Sequence, residues 1–142
     1  MKSLTILVIT ILLLISCKKN NETSAVPGMD SIDSVGQTIL LTGTFNNGPW
    51  GTVSGQVRIL RTATGALTLA LQNVNISSGP DLHVYLSKEV QPINFIDLGL
   101  LKSTSGNQLY SISGAADFSQ YKYALIHCQK FDHLFGSALL QP

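Results

Sequence analysis

The side chains of this sequence best suited to chemistry gather between Tyr121 and Phe135, where the thiol of Cys128 has His127, Lys130 and His133 within five residues of it. Cationic neighbours favour the thiolate, the form that attacks disulfides, so one reading of Cys128 is a redox thiol supported by His127. A second reading is packing. In a strand, Ala124, Ile126 and Cys128 point one way and Tyr123, Leu125 and His127 the other, which sets the thiol among small apolar residues as free cysteines often are. A third is a metal. Cys128 and His133, with His83 on another strand, are the cysteine and histidine donors of copper sites on β-sandwiches, but no methionine follows His133 to complete such a set. Copper is therefore the weak alternative, and no cofactor is required. Phe131 and Phe135, four residues apart, are expected to cover the end of the sheet near Cys128. The carboxylates Asp81, Asp97, Asp117 and Asp132 fall in turns, with no motif joining them to a serine and histidine for hydrolysis; Asp81 and Asp117 are read as turn caps.

The opening residues bear on how many thiols are free. Lys2 is a short positive region, and Leu4 to Ile15 is an apolar run too short to span a bilayer, which together predict a signal peptide over residues 1–16. Leu14-Ile15-Ser16-Cys17 resembles the bacterial lipoprotein lipobox, which implies cleavage before Cys17 and attachment of that residue to membrane lipid. A lipidated Cys17 leaves Cys128 without a partner in its own chain, and an odd thiol outside the cytoplasm is buried, paired elsewhere or reactive. The expected location is the cell envelope, lipid-anchored, periplasmic or surface-exposed. A charged fraction of 12% and a net charge of +1, with basic residues scattered, exclude nucleic acid as a partner.

Residues 17–36 are polar, broken by Pro27-Gly28, and read as a flexible tether; the domain is expected over residues 37–142. Its pattern is one of short strands between turns. Ile39–Phe45, Gly55–Thr62, Leu67–Val74, Leu82–Ser87, Phe95–Lys102, Leu109–Ile112, Tyr123–Cys128 and Ser137–Leu140 are β-prone, with Asn46–Pro49, Ala63–Ala66, Ser77–Asp81 and Ser103–Asn107 as turns. Phe95–Lys102 reads as an edge strand interrupted at Gly99, and Asp117–Gln120 as one helical turn. No window keeps a helical period long enough for a packed helix. The expected fold is all-β, an antiparallel sandwich or barrel of about seven to eight strands.

With the strands placed, the segments Gly79-Pro80-Asp81-Leu82-His83-Val84-Tyr85-Leu86-Ser87, Asp97-Leu98-Gly99-Leu100-Leu101-Lys102, Gly106-Asn107-Gln108-Leu109-Tyr110 and Ile126-His127-Cys128, running on to Phe131, Phe135, Gly136 and Ala138, resemble the DM13 domain. The resemblance covers about Gly43 to Leu140. It implies a small all-β extracytoplasmic module, found alone in bacterial lipoproteins, in which Cys128 occupies the family's characteristic cysteine position, with a redox or electron-transfer role and an extracytoplasmic redox partner. Members often carry tryptophan where this chain has His127, a histidine where it has Gly48-Pro49-Trp50-Gly51, and a proline where it has Ser113. The rival expectation is a non-enzymatic binding or adhesion module that presents Ser77–Asp81 and Glu89–Asn94, with Cys128 in the core. On either reading the protein is a redox or binding module rather than an enzyme.

Overall fold

A computed structural model describes residues 36–142, so the signal peptide, Cys17 and the tether as far as residue 35 lie outside the described residues. Within them the chain forms nine strands: β1 (Gln37–Thr44), β2 (Asn46–Asn47), β3 (Val53–Thr62), β4 (Leu67–Ile76), β5 (Leu82–Ser87), β6 (Phe95–Leu100), β7 (Ser105–Ile112), β8 (Tyr123–Cys128) and β9 (His133–Leu139). Every pairing is antiparallel. One sheet has the order β1-β3-β4-β7 and the other β2-β9-β8-β5-β6, so the architecture is a sandwich and not a closed barrel. Among the described residues no helix is long and apolar enough to cross a membrane.

Alternation builds the core. Val57 and Ile59 of β3, Leu69 and Leu71 of β4, and Tyr110 and Ile112 of β7 face Val84 and Leu86 of β5 and Ala124, Ile126 and Cys128 of β8. The β3–β4 hairpin turns where Gly65 takes a positive φ of 88° and the Thr62 hydroxyl accepts a bond from the Ala66 amide at 3.0 Å. At the crossover from β6 to β7 the buried Gln108 ties the chain down. Its Oε1 accepts from the Lys102 and Ser103 amides and from the Tyr110 hydroxyl, while its Nε2 donates to the Ser103 carbonyl at 2.7 Å.

Two segments read as turns are strands. Asn46 and Asn47 pair with Ser137 and Gly136 of β9, and the Asn47 side chain accepts from the Val53 amide at 2.8 Å. Ser105 and Gly106 extend β7 along Asn75 and Val74. A serine and a glycine carry no apolar signal, and they hid the strand because β7 is a sheet edge, where the backbone can pair on one side without burying side chains. Opposite them Asn73 is left-handed, with φ 48°, and its amide donates to the Asn107 side chain at 2.8 Å, which absorbs the register shift in β4. Phe95–Leu100 is an edge strand, as its composition suggested, and Gly99 with φ 113° lies beside the register shift against β5.

Candidate functional site

Cys128 ends β8, opposite Leu82 of β5 and His133 of β9, immediately before a 3-10 turn over Gln129–Phe131. Its side chain points inward. It is 0% exposed and belongs to the same apolar core as Leu82 and Phe135. Phe135 is packed here because two glycines leave room for it: a Cβ on Gly79 would stand 2.9 Å from the Phe135 ring and 2.7 Å from Leu82, and a Cβ on Gly51 would overlap the ring outright. Phe131 behaves otherwise. It is 54% exposed and lies outside the core, so of the aromatic pair only Phe135 covers the thiol's end of the sheet. The residue five positions after Cys128, His133, stacks coplanar on Trp50 with ring centroids 3.9 Å apart. Phe131 leans on His133 at 5.8 Å.

The opposite face of the same sheet holds more polar chemistry than the thiol's surroundings. His83 and His127 are cross-strand partners on β5 and β8, so alternation brings both imidazoles to the outer face. His83 lies between two carboxylates, with Nδ1 2.9 Å from Asp97 and Nε2 3.3 Å from Asp81. Both contacts can be hydrogen bonds only when the ring carries a proton on each nitrogen. His127 Nε2 is 3.3 Å from Asp132, a residue held left-handed at φ 54° by the turn, as aspartate tolerates. Asp97 and Asp81 are therefore not scattered turn carboxylates. Asp97 lies on β6, and Asp81 faces His83 instead of capping its turn. Asp117 does cap, accepting from the Ser119 amide and hydroxyl and from the Gln120 side chain.

Between the histidines and the strand ends, Tyr85 forms the centre of a second apolar layer with Leu125 and Leu134. Its ring stacks on Phe95 at 4.3 Å and on His127 at 5.3 Å. Burial raises the phenol's pKa, and the carboxylates of Asp97, Asp81 and Asp132 add to the effect, so Tyr85 stays neutral. His127 shifts the other way. Burial disfavours its imidazolium and lowers its pKa; Asp132 opposes this, and His133 and His83 reinforce it. The His127 Nδ1 is buried without a hydrogen-bond partner among the described residues.

That depression has a sign. In the unfolded chain the ring takes up its proton near 6.5, whereas in the folded chain it does so only at lower pH. The contribution to stability is complete above 6.5 and is lost as pH falls from there toward the folded-state value. Asp132→Asn removes the main group that raises the pKa, so the loss of stability on acidification should deepen. Urea midpoints at about pH 5 and pH 7.5 for both proteins check this, and a smaller pH effect in Asp132→Asn contradicts it.

Of the residues singled out from sequence, Cys128 and Phe135 share the core, His127 and Asp81 lie on or beside the outer face, and Phe131 is exposed next to His133. Cys128, His133 and His83 do not converge: among the described residues no group of three or more histidine, cysteine, aspartate or glutamate side chains could hold a metal ion. Tyr85, the His83–Asp97 pair and the Trp50–His133 stack were not singled out. Alternation of His83 with Tyr85, and a carboxylate two residues before Gly99 on the neighbouring strand, were the available signals. The family model described as electron transfer DM13 matches residues 44–140 of the chain. No curated protein and no solved structure matches it.

Proposed function

Because the chain belongs to the electron-transfer DM13 family, we propose that it is a lipid-anchored electron-transfer module of the bacterial cell envelope, fixed to a membrane through Cys17, with Cys128 as its redox thiol. The family match supports the reaction class. The observation that carries the residue is the position of Cys128, the free cysteine of the described residues, at the last place in β8, where one short turn ends the hairpin. The resting fold keeps the sulfur away from solvent, so reaction begins with parting of the Gln129–Asp132 turn. Cys128 then loses its proton to water and attacks one sulfur of a partner's disulfide. A new disulfide forms between the two proteins and the partner's other sulfur leaves as thiolate. A thiol of a second extracytoplasmic protein, a dithiol, attacks the Cys128 sulfur in that bond, so that the first partner leaves fully reduced. The second protein's other thiol then attacks its own sulfur in the new bond, closes an internal disulfide and releases the Cys128 thiolate. Two electrons have passed from the second protein to the first.

Alkylation of the native chain, compared with global unfolding measured in parallel, tests this. Labelling at an opening free energy well below that of global unfolding, with a trapped mixed disulfide to oxidised glutathione, is the expected result. Labelling only at the global unfolding rate, with no mixed disulfide, overturns it. The burial of Cys128 in an apolar cluster favours a second reading, a binding module whose thiol is core. Under that reading, capture of an envelope protein by the full chain persists in Cys128→Ala.

A further inference from the structure

Outside the first sheet, at the edge strand β1, lies a cavity of about 420 Å³ whose chemistry is unlike that around Cys128. Arg58 and Gln56 of β3 stand opposite Thr42 and Thr44 of β1, and Asn46 and Gln141 complete the polar wall. The wall is fixed by backbone. The Thr42 amide donates to the Gln141 carbonyl at 2.7 Å and the Gln141 amide donates back at 2.8 Å, while Gly43 lets the strands approach, since a Cβ there would stand 2.6 Å from the Leu139 carbonyl. Other polar side chains of the domain are committed, Gln108 to the crossover, Asp117 to its turn and Lys88 to Gln120. Those of Arg58, Gln56, Thr42, Thr44, Asn46 and Gln141 form no hydrogen bond or ion pair among the described residues. Arg58 is nevertheless half-buried, its ladder partner on β4 being the small, buried Ala70.

We propose that this cavity binds a small hydroxyl-rich ligand bearing one carboxylate, the chemistry of a uronic acid sugar. The guanidinium fork matches a carboxylate through two parallel bonds. One cation and no carboxylate line the cavity, which admits one negative charge and leaves a second without a partner. Hydroxyls and amides both donate and accept, as sugar hydroxyls require, and the exposed Leu139 offers an apolar surface for the C–H face of a ring. The volume lies within the usual range for small-ligand sites, roughly 300–1,000 Å³. The site is independent of the thiol and of its redox role.

The test is titration of the full chain, in detergent and labelled with nitrogen-15, with glucuronate, glucose, acetate and inorganic phosphate in separate experiments. Glucuronate should shift the amides of Thr42, Gln56, Arg58 and Gln141, and both glucose and acetate should bind at least about tenfold more weakly. Arg58→Ala should weaken glucuronate by about tenfold or more, with glucose unaffected. Should Arg58→Ala not fold, Arg58→Gln, which also removes the guanidinium, carries the same comparison. No shift with glucuronate, equal binding to a folded Arg58 variant, or binding of acetate or phosphate as tight as that of glucuronate overturns the proposal.

Discussion

Replacing Tyr85 with alanine is expected to cost the domain about 3–5 kcal/mol, the range for deleting a large buried aromatic ring. The ring is 1% exposed although it points away from the main core. It is held between Phe95 and His127 and packed with Leu125 and Leu134, so its loss opens a void on the outer face and removes both stacking partners at once. Against a total stability of about 5–15 kcal/mol for such a domain, that loss brings the fold close to its limit. Tyr85→Phe keeps the ring and both stacking partners and gives up only the hydroxyl, for about 1 kcal/mol or less. Urea unfolding of the two variants beside the parent is the measurement. An alanine variant that loses no more than the phenylalanine one would show that the outer layer is surface and not a second core.

Cys128 supplies the second large effect, through a pair of substitutions. Serine has nearly the size of cysteine but brings a hydroxyl, and in the apolar cluster around Leu82, Ile126 and Phe135 an unpartnered hydroxyl costs about 1–3 kcal/mol. Alanine removes the sulfur without adding a polar group and should cost only about 1 kcal/mol. Serine is thus expected to be the more harmful change, by thermal or urea unfolding. The reverse order would mean that water reaches the sulfur site in the native state. Disulfide exchange, if the thiol carries it, vanishes in both variants whatever their stability, so the two properties separate cleanly.

How much of this was legible in the residues depended on which face they served. Leu82–Ser87 and Tyr123–Cys128 were readable to the residue because both are central strands with apolar residues at every second place. An all-β, antiparallel sandwich or barrel followed from the density of such segments and turns, whereas the choice of two open sheets rests on the strand pairing. Asn46–Asn47 and Ser105–Gly106 were missed because at a sheet edge pairing is a matter of backbone, and polar side chains carry no sign of it. The location of the chemistry was harder. Around Tyr85, His83 and His127 neighbouring strands bring Phe95, Asp97 and Leu134 over or against them, and that convergence depends on register between segments far apart in sequence. Cys128 illustrates the opposite case: its face was fixed by parity within β8, whereas its depth was set by Phe135, which the glycines at 51 and 79 admit.

The reciprocal Thr42–Gln141 bridge gives the sandwich a mechanical polarity. Tension on the chain ahead of Gln37 loads β1 at its first pair, Gln37 with Thr62, and an edge strand pulled this way comes off its neighbour like a zip, pair by pair. At Thr42, in the last part of β1, the bridge clamps the strand to Gln141 as well, so peeling must there break bonds on both flanks of one strand. Beyond that catch lies Gly43, whose backbone runs against Ala138 and Leu139 of β9. A tug from the N-terminal side thereby meets its first catch at Thr42, short of the end of β1, and the far end of the sandwich, where Trp50, His133 and Cys128 lie, is sheltered behind it.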